Sequence, residues 1–249
     1  MGIGGFIIAG NTPKRVIIRG IGPSLSHLGV PNVLYDPVLE LRGPETFNPI
    51  INNNWRDDQE QEIRDTGIPP SNDLEAAIVV TLGPGAYTAI MRGNSPSPSG
   101  VGLIEIYDLN QGVDAKLANL STRGFVQTAD NIVIAGFLIS NNGLGKDRIV
   151  VRGIGPSLAP GSFPPSDVLG NPTVGLRNSN GTLLIANNDW RENPEQAAEI
   201  EAAGLAPANN LESALIGPLS PGLYTALLSG LNNGTGIGVV EVYDLGAIP

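Results

Sequence analysis

The chain has 249 residues, a net charge of −10, 33 Gly, 21 Pro and no Cys. That balance excludes a nucleic-acid partner, which needs clustered Lys and Arg, and the missing thiols exclude disulfides and metal sites built on cysteine. There is no apolar run of about 18 residues for a membrane-inserted helix, while short Val, Ile, Leu and Ala runs between Gly and Pro predict many strands and tight turns.

The chain is written twice. Arg19-Gly20-Ile21-Gly22-Pro23-Ser24-Leu25 returns as Arg152-Gly153-Ile154-Gly155-Pro156-Ser157-Leu158. Asn53-Asn54-Trp55-Arg56 returns as Asn188-Asp189-Trp190-Arg191, and Pro84-Gly85-Ala86-Tyr87-Thr88-Ala89 as Pro221-Gly222-Leu223-Tyr224-Thr225-Ala226. Glu105-Ile106-Tyr107-Asp108-Leu109 returns as Glu241-Val242-Tyr243-Asp244-Leu245. Such self-similarity predicts two domains, residues 1–112 and 113–249, each able to bury its own core.

In chain order, the start Met1-Gly2-Ile3-Gly4-Gly5-Phe6 lacks the basic flank and cleavage site of a signal peptide and reads like the inside of a repeat. Gly4 to Ala9 and Lys14 to Ile21 read as a strand pair turned by Gly10-Asn11-Thr12-Pro13. Along the second strand Val16 and Ile18 share one face, and Arg15, Ile17 and Arg19 the other. A Gly-Pro pair ends it. Asp36-Pro37 opens a strand through Leu41, and Pro49-Ile50-Ile51 runs into the polar cluster Asn52 to Asp58.

Gln59 to Thr66 predicts a two-turn helix stopped by Gly67, and Pro194 to Ala203 a longer one stopped by Gly204. Leu74 to Leu82, Ala86 to Arg92 and Val101 to Asp108 read as strands, with a loop over Gly93 to Gly100. Seven or eight short strands per unit with regular turn signals predict an all-β fold of two tandem antiparallel β-sandwiches with one short helix each.

One segment has no counterpart. Residues 117–125 (with Leu117, Asn119, Leu120, Thr122 and Phe125) read as a strand leading into the second unit, and nothing equivalent precedes the first. If it completes the second sandwich, the first has an open edge that a neighbouring molecule or another repeat fills; otherwise the segment is only a linker, or the first unit closes without it.

Candidate chemistry is thin. The Gly20-Ile21-Gly22-Pro23-Ser24 turn resembles a phosphate loop, but Pro23 removes an N–H donor and no Lys follows. Ser24 has His27 nearby, but the second unit has no histidine to match it. Arg19 and Glu105, with Arg152 and Glu241, lie on otherwise apolar strands and predict half-buried ion pairs, with an active site as the alternative. Neither unit offers a paired acid and base, so no enzyme activity is expected.

The Asn/Asp-rich corner offers hard oxygens for calcium, with Asp36, Asn52, Asn54 and Asp57 in one unit and Asn187 and Asp189 in the other. The same residue types also build ordinary turns. Trp55 and Trp190 stand beside it, either as plugs of the core or as platforms for sugar rings. Asn119, Asn180 and Asn233 head N-glycosylation patterns.

These motifs together resemble a family of tandem repeats at the C-terminal ends of large exported bacterial proteins, over both units. More distantly, Asp36 to Leu41, the Asn/Asp corner and Pro84 to Thr88 resemble the bacterial pre-peptidase C-terminal domain. That likeness implies a jelly-roll-like sandwich whose relatives bind calcium and polysaccharide or protein fibres; here Asn171 stands where the match to Asp36 would be acidic. The expectation is an extracellular or cell-surface structural protein that self-associates into filaments or acts as an adhesive spacer. Its rival is a carbohydrate-binding module.

Overall fold

The computed structural model describes residues 1–94, 99–129, 131–140 and 145–247. Part of the loop expected over Gly93 to Gly100 therefore lies outside the described residues. The chain divides into two compact units, Met1–Ala118 and Asn119–Pro249. That boundary falls six residues beyond the one expected from the repeat, inside a long strand.

The first unit contains β1 (Gly2–Gly10), β2 (Lys14–Ile21), β3 (Pro37–Arg42), β4 (Ile50–Asn52), α1 (Glu60–Asp65), β5 (Ala76–Leu82), β6 (Gly85–Gly93) and β7 (Leu103–Asp108). Within this unit the strands pair antiparallel in the orders β1-β6-β3-β4 and β5-β2-β7. The expected hairpin of β1 with β2 is corrected. β1 pairs with β6, whereas β2 sits between β5 and β7 in the other sheet.

The reason is burial on both faces of β2. Val16 and Ile18 face the space between the sheets, while Ile17 packs with Trp55, Ile63, Ala77 and Val79 in a second small core under α1. A strand covered on both sides belongs in the middle of a sheet, so the turn at Gly10 crosses between layers. Gly10 has φ 125°, and a Cβ there would lie 2.3 Å from the Asp114 carbonyl oxygen, so only glycine fits. Between the sheets, Phe6 stacks on Tyr87 with ring centroids 5.4 Å apart.

The second unit repeats the plan with β9 (Val133–Ile139), β10 (Asp147–Ile154), α2 (Ala159–Ser162), β11 (Pro172–Asn178), β12 (Leu183–Asn187), α3 (Pro194–Ala202), β13 (Ser213–Leu219), β14 (Gly222–Gly230) and β15 (Gly236–Ala247). The four-residue α2 is a helix beyond the one expected per unit. The α3 helix begins as its sequence asks: the Asn193 side chain accepts from the N–H groups of Glu195 and Gln196, Pro194 takes the first position, and Gly204 follows the end at φ 71°. Its Ile200 packs with Trp190, Val150, Ala214 and Ile216.

Within this unit the strands run in the orders β12-β11-β14-β9 and β13-β10-β15-β8, where β8 spans Ala115–Val126. Both units are thus all-β sandwiches, with a short helix and a loop layered on the outer face of one sheet. Among the described residues no helix is long and apolar enough to cross a membrane.

Candidate functional site

The two units differ most at one strand. β15 in the second unit lies between β10 and β8, whereas its counterpart β7 in the first has β2 as its one pairing partner among the described residues. The correspondence is fixed by register. Arg152 faces Glu241 and Val151 faces Val242; Arg19 faces Glu105 and Ile18 faces Ile106.

The unit-two strand β8 covers β15 along eight pairs, from Gly236 opposite Val126 to Tyr243 opposite Asn119. Of the segment singled out by sequence, Asn119, Leu120, Thr122 and Phe125 stand in this ladder, and Leu117 lies just before the boundary between the units. Val126 and Leu120 enter the core there, and Val240 and Val242 are 0% and 5% exposed. In the first unit Ile104 and Ile106 are only half-buried, and Leu103 and Tyr107 are 43% and 38% exposed. Apolar side chains and a row of backbone donors and acceptors are presented together at the β7 edge.

Next to this edge sit the ion pairs expected from sequence. Arg19 Nε donates to Glu105 Oε2 at 2.9 Å, and its second nitrogen also bonds that carboxylate. Arg152 Nε reaches Glu241 at 2.8 Å. Each Arg also donates to the carbonyl after its helix, Ile68 at 2.8 Å or Leu205 at 2.9 Å, so it ties the helical layer to the sheet. Tyr107 and Tyr243 stack under the guanidinium groups, each with a centroid distance of 5.1 Å. Burial first, and then the Glu105 or Glu241 carboxylate, pushes both phenols above their ordinary value of 10.

The phosphate-loop resemblance has a physical basis that sequence reasoning missed. The donors of that turn are already satisfied from inside. Glu75 is 0% exposed and accepts from Gly22 N at 3.1 Å, Ser24 N at 2.9 Å and Ser24 Oγ at 2.5 Å. Glu212, also 0% exposed, accepts from Gly155 N, Ser157 N and Ser157 Oγ in the same way. Ser24 is therefore a donor to Glu75, and His27 lies exposed on the turn. The signal was present as a repeated Asn-Asx-Leu-Glu, residues 72–75 and 209–212.

The Asn/Asp corner resolves into two kinds of residue. Asn52 and Asn187 are structural: their carbonyl oxygens accept from Ala77 N and Ala214 N, and their amides donate to Asn54 O and Asp189 O. These side chains, expected among the calcium ligands, join β4 to β5 and β12 to β13. Asp57 accepts from the Asn54 amide.

Other oxygens remain. The Oδ1 atoms of Asp36, Asn53 and Asn54 are buried without a hydrogen-bond partner, and so are those of Asn171, Asn188 and Asp189 at the matching positions. Each trio holds one carboxylate, at Asp36 in one and Asp189 in the other. Buried acceptors of this kind are met by an ordered water or a cation. Among the described residues no three His, Cys, Asp or Glu side chains gather as a metal site, so any ion here would rest largely on carboxamides and backbone carbonyls.

Trp55 and Trp190 are each 2% exposed, and their indole N–H groups donate to Asn72 O and Asn209 O. Neither offers an open face to a sugar; both plug the small outer core. Asn119 is 7% exposed and its amide bonds Val242 O at 3.0 Å, so this glycosylation pattern lies in a ladder. No protein-family model matches the chain, and no curated protein matches it either.

Proposed function

We propose that this chain is a non-catalytic structural repeat of the bacterial cell surface or extracellular space, which builds fibres or arrays by completing strand edges between repeats. The observation that carries the reading is that β7 pairs with β2 alone among the described residues, whereas its counterpart β15 pairs with both β10 and β8. A sandwich edge left with exposed Leu103 and Tyr107 and open backbone groups is a site for strand addition. Calcium is the ion we assign to the Asn/Asp corners, where the orphaned oxygens recur at matching positions.

Sedimentation across a range of concentrations tests the assembly. The expected result is concentration-dependent association that Leu103→Lys abolishes, because a charge on an exposed edge opposes strand pairing. A chain that stays monomeric at every concentration, with β7 amides exchanging freely, would overturn it.

A further inference from the structure

We propose that the strand completing the first unit is a β8-type segment of another repeat, laid antiparallel on β7 in the register that β8 takes on β15. This rests on the edge-completion reading above and names its partner. The two acceptor strands are interchangeable in register: Gly20, Arg19 and Ile18 face Ile104, Glu105 and Ile106, as Gly153, Arg152 and Val151 face Val240, Glu241 and Val242. The second-unit ladder sets Leu120, Ser121 and Thr122 opposite Val242, Glu241 and Val240. Carried across, Ile106 meets a residue like Leu120, Glu105 one like Ser121 and Ile104 one like Thr122.

Each pairing has a chemical reason. Leu120 packs against the core of its own unit, and the half-buried Ile106 and Ile104 present the same opening between the sheets. Ser121 is small and uncharged beside a carboxylate already committed to an arginine. The Asn119 amide donates to Val242 O at 3.0 Å; the equivalent acceptor on β7 is the Ile106 carbonyl.

Stoichiometry then selects the source. The chain has two acceptor edges, β7 and β15, and one β8, whose eight pairs are already made with β15. Two copies exchanging β8 would fill one edge by opening another. The occupant is therefore the corresponding strand of a further repeat of this kind, not the β8 of a second copy.

The experiment uses the full chain with a synthetic peptide of residues 113–127, read by hydrogen exchange and sedimentation. Exchange of alternate amides in Leu103–Asp108 is expected to slow by about tenfold or more, with exchange in 236–243 unchanged. With β8 engaged, copies of the chain alone can join only β7 to β7, and the same peptide is expected to disperse such oligomers by covering that edge. A Leu120→Lys peptide should bind at least about tenfold more weakly, since its apolar contact is lost. Oligomers that protect β7 and ignore the peptide would overturn this inference and leave the edge-completion reading in place. Protection that appears at 236–243 instead would also overturn it. Neither peptide binding nor association would overturn both.

Discussion

Removing the Glu75 carboxylate strands the N–H groups of Gly22, Ser24 and Asn72 and the Ser24 hydroxyl in a buried turn. Each orphaned group costs about 1–3 kcal/mol. Glu75→Ala is therefore expected to lose about 3 kcal/mol or more, measured by urea unfolding. A gentler probe is pH. The Tyr107 and Tyr243 phenols titrate above 10 in the folded chain, chiefly through burial. A group whose pKa is higher folded than unfolded contributes fully below the unfolded value and loses that contribution as pH rises through the folded one. Stability should hold up to about pH 10 and fall beyond it; urea titrations at pH 9 and pH 11 that give equal midpoints would refute this. The Arg–Glu pairs were legible from sequence because charge on an apolar strand demands a partner. The buried Glu75 was not, because Leu-Glu-Ala-Ala reads equally well as an exposed helical turn.

At the scale of elements, β7 and β15 share a sequence and differ in surroundings. Among the described residues β15 is hydrogen-bonded on both sides, β7 on one. At concentrations below association, the outward amides of Leu103–Asp108 should exchange about tenfold or more faster than those of the matching residues 239–244. Equal protection would show that the β7 edge is covered by something other than an added strand. Strand positions were largely legible, since alternation and turn residues mark them, as for β3 and β6. Sheet membership was not. β1 and β2 look like a hairpin because four turn residues join them, yet Ile17 and Ile18 bury opposite faces of β2, a fact that depends on where Trp55 and Ile63 come to rest. The missing strand could be suspected from residues 117–125, but its ladder on β15 is a matter of long-range pairing that no local pattern records.

For the molecule as a whole, the net charge of −10 opposes both compactness and association, and bound cations relieve it. Both units carry the same orphaned-oxygen trio, so calcium should stabilise each of them. At a free concentration about tenfold above its Kd, calcium adds about 1.4 kcal/mol per site, which raises the Tm of a unit of this size by a few degrees. Asp36→Ala and Asp189→Ala together should remove that response to calcium, as read by calorimetry with and without a chelator. The corner itself was legible as a cluster of Asn and Asp. Which of its members are occupied was not, because Asn52 and Asn187 look identical to their neighbours until the strands they tie together are in place.

The internally satisfied turn also makes the Glu75 side chain replaceable. Trimmed to glycine, it would leave a hollow lined by the amide donors of Gly22, Ser24 and Asn72 and sized for a small carboxylate. Acetate in the buffer would then stand in as a detached side chain and restore lost stability in Glu75→Gly in proportion to its concentration, while leaving the parent chain untouched.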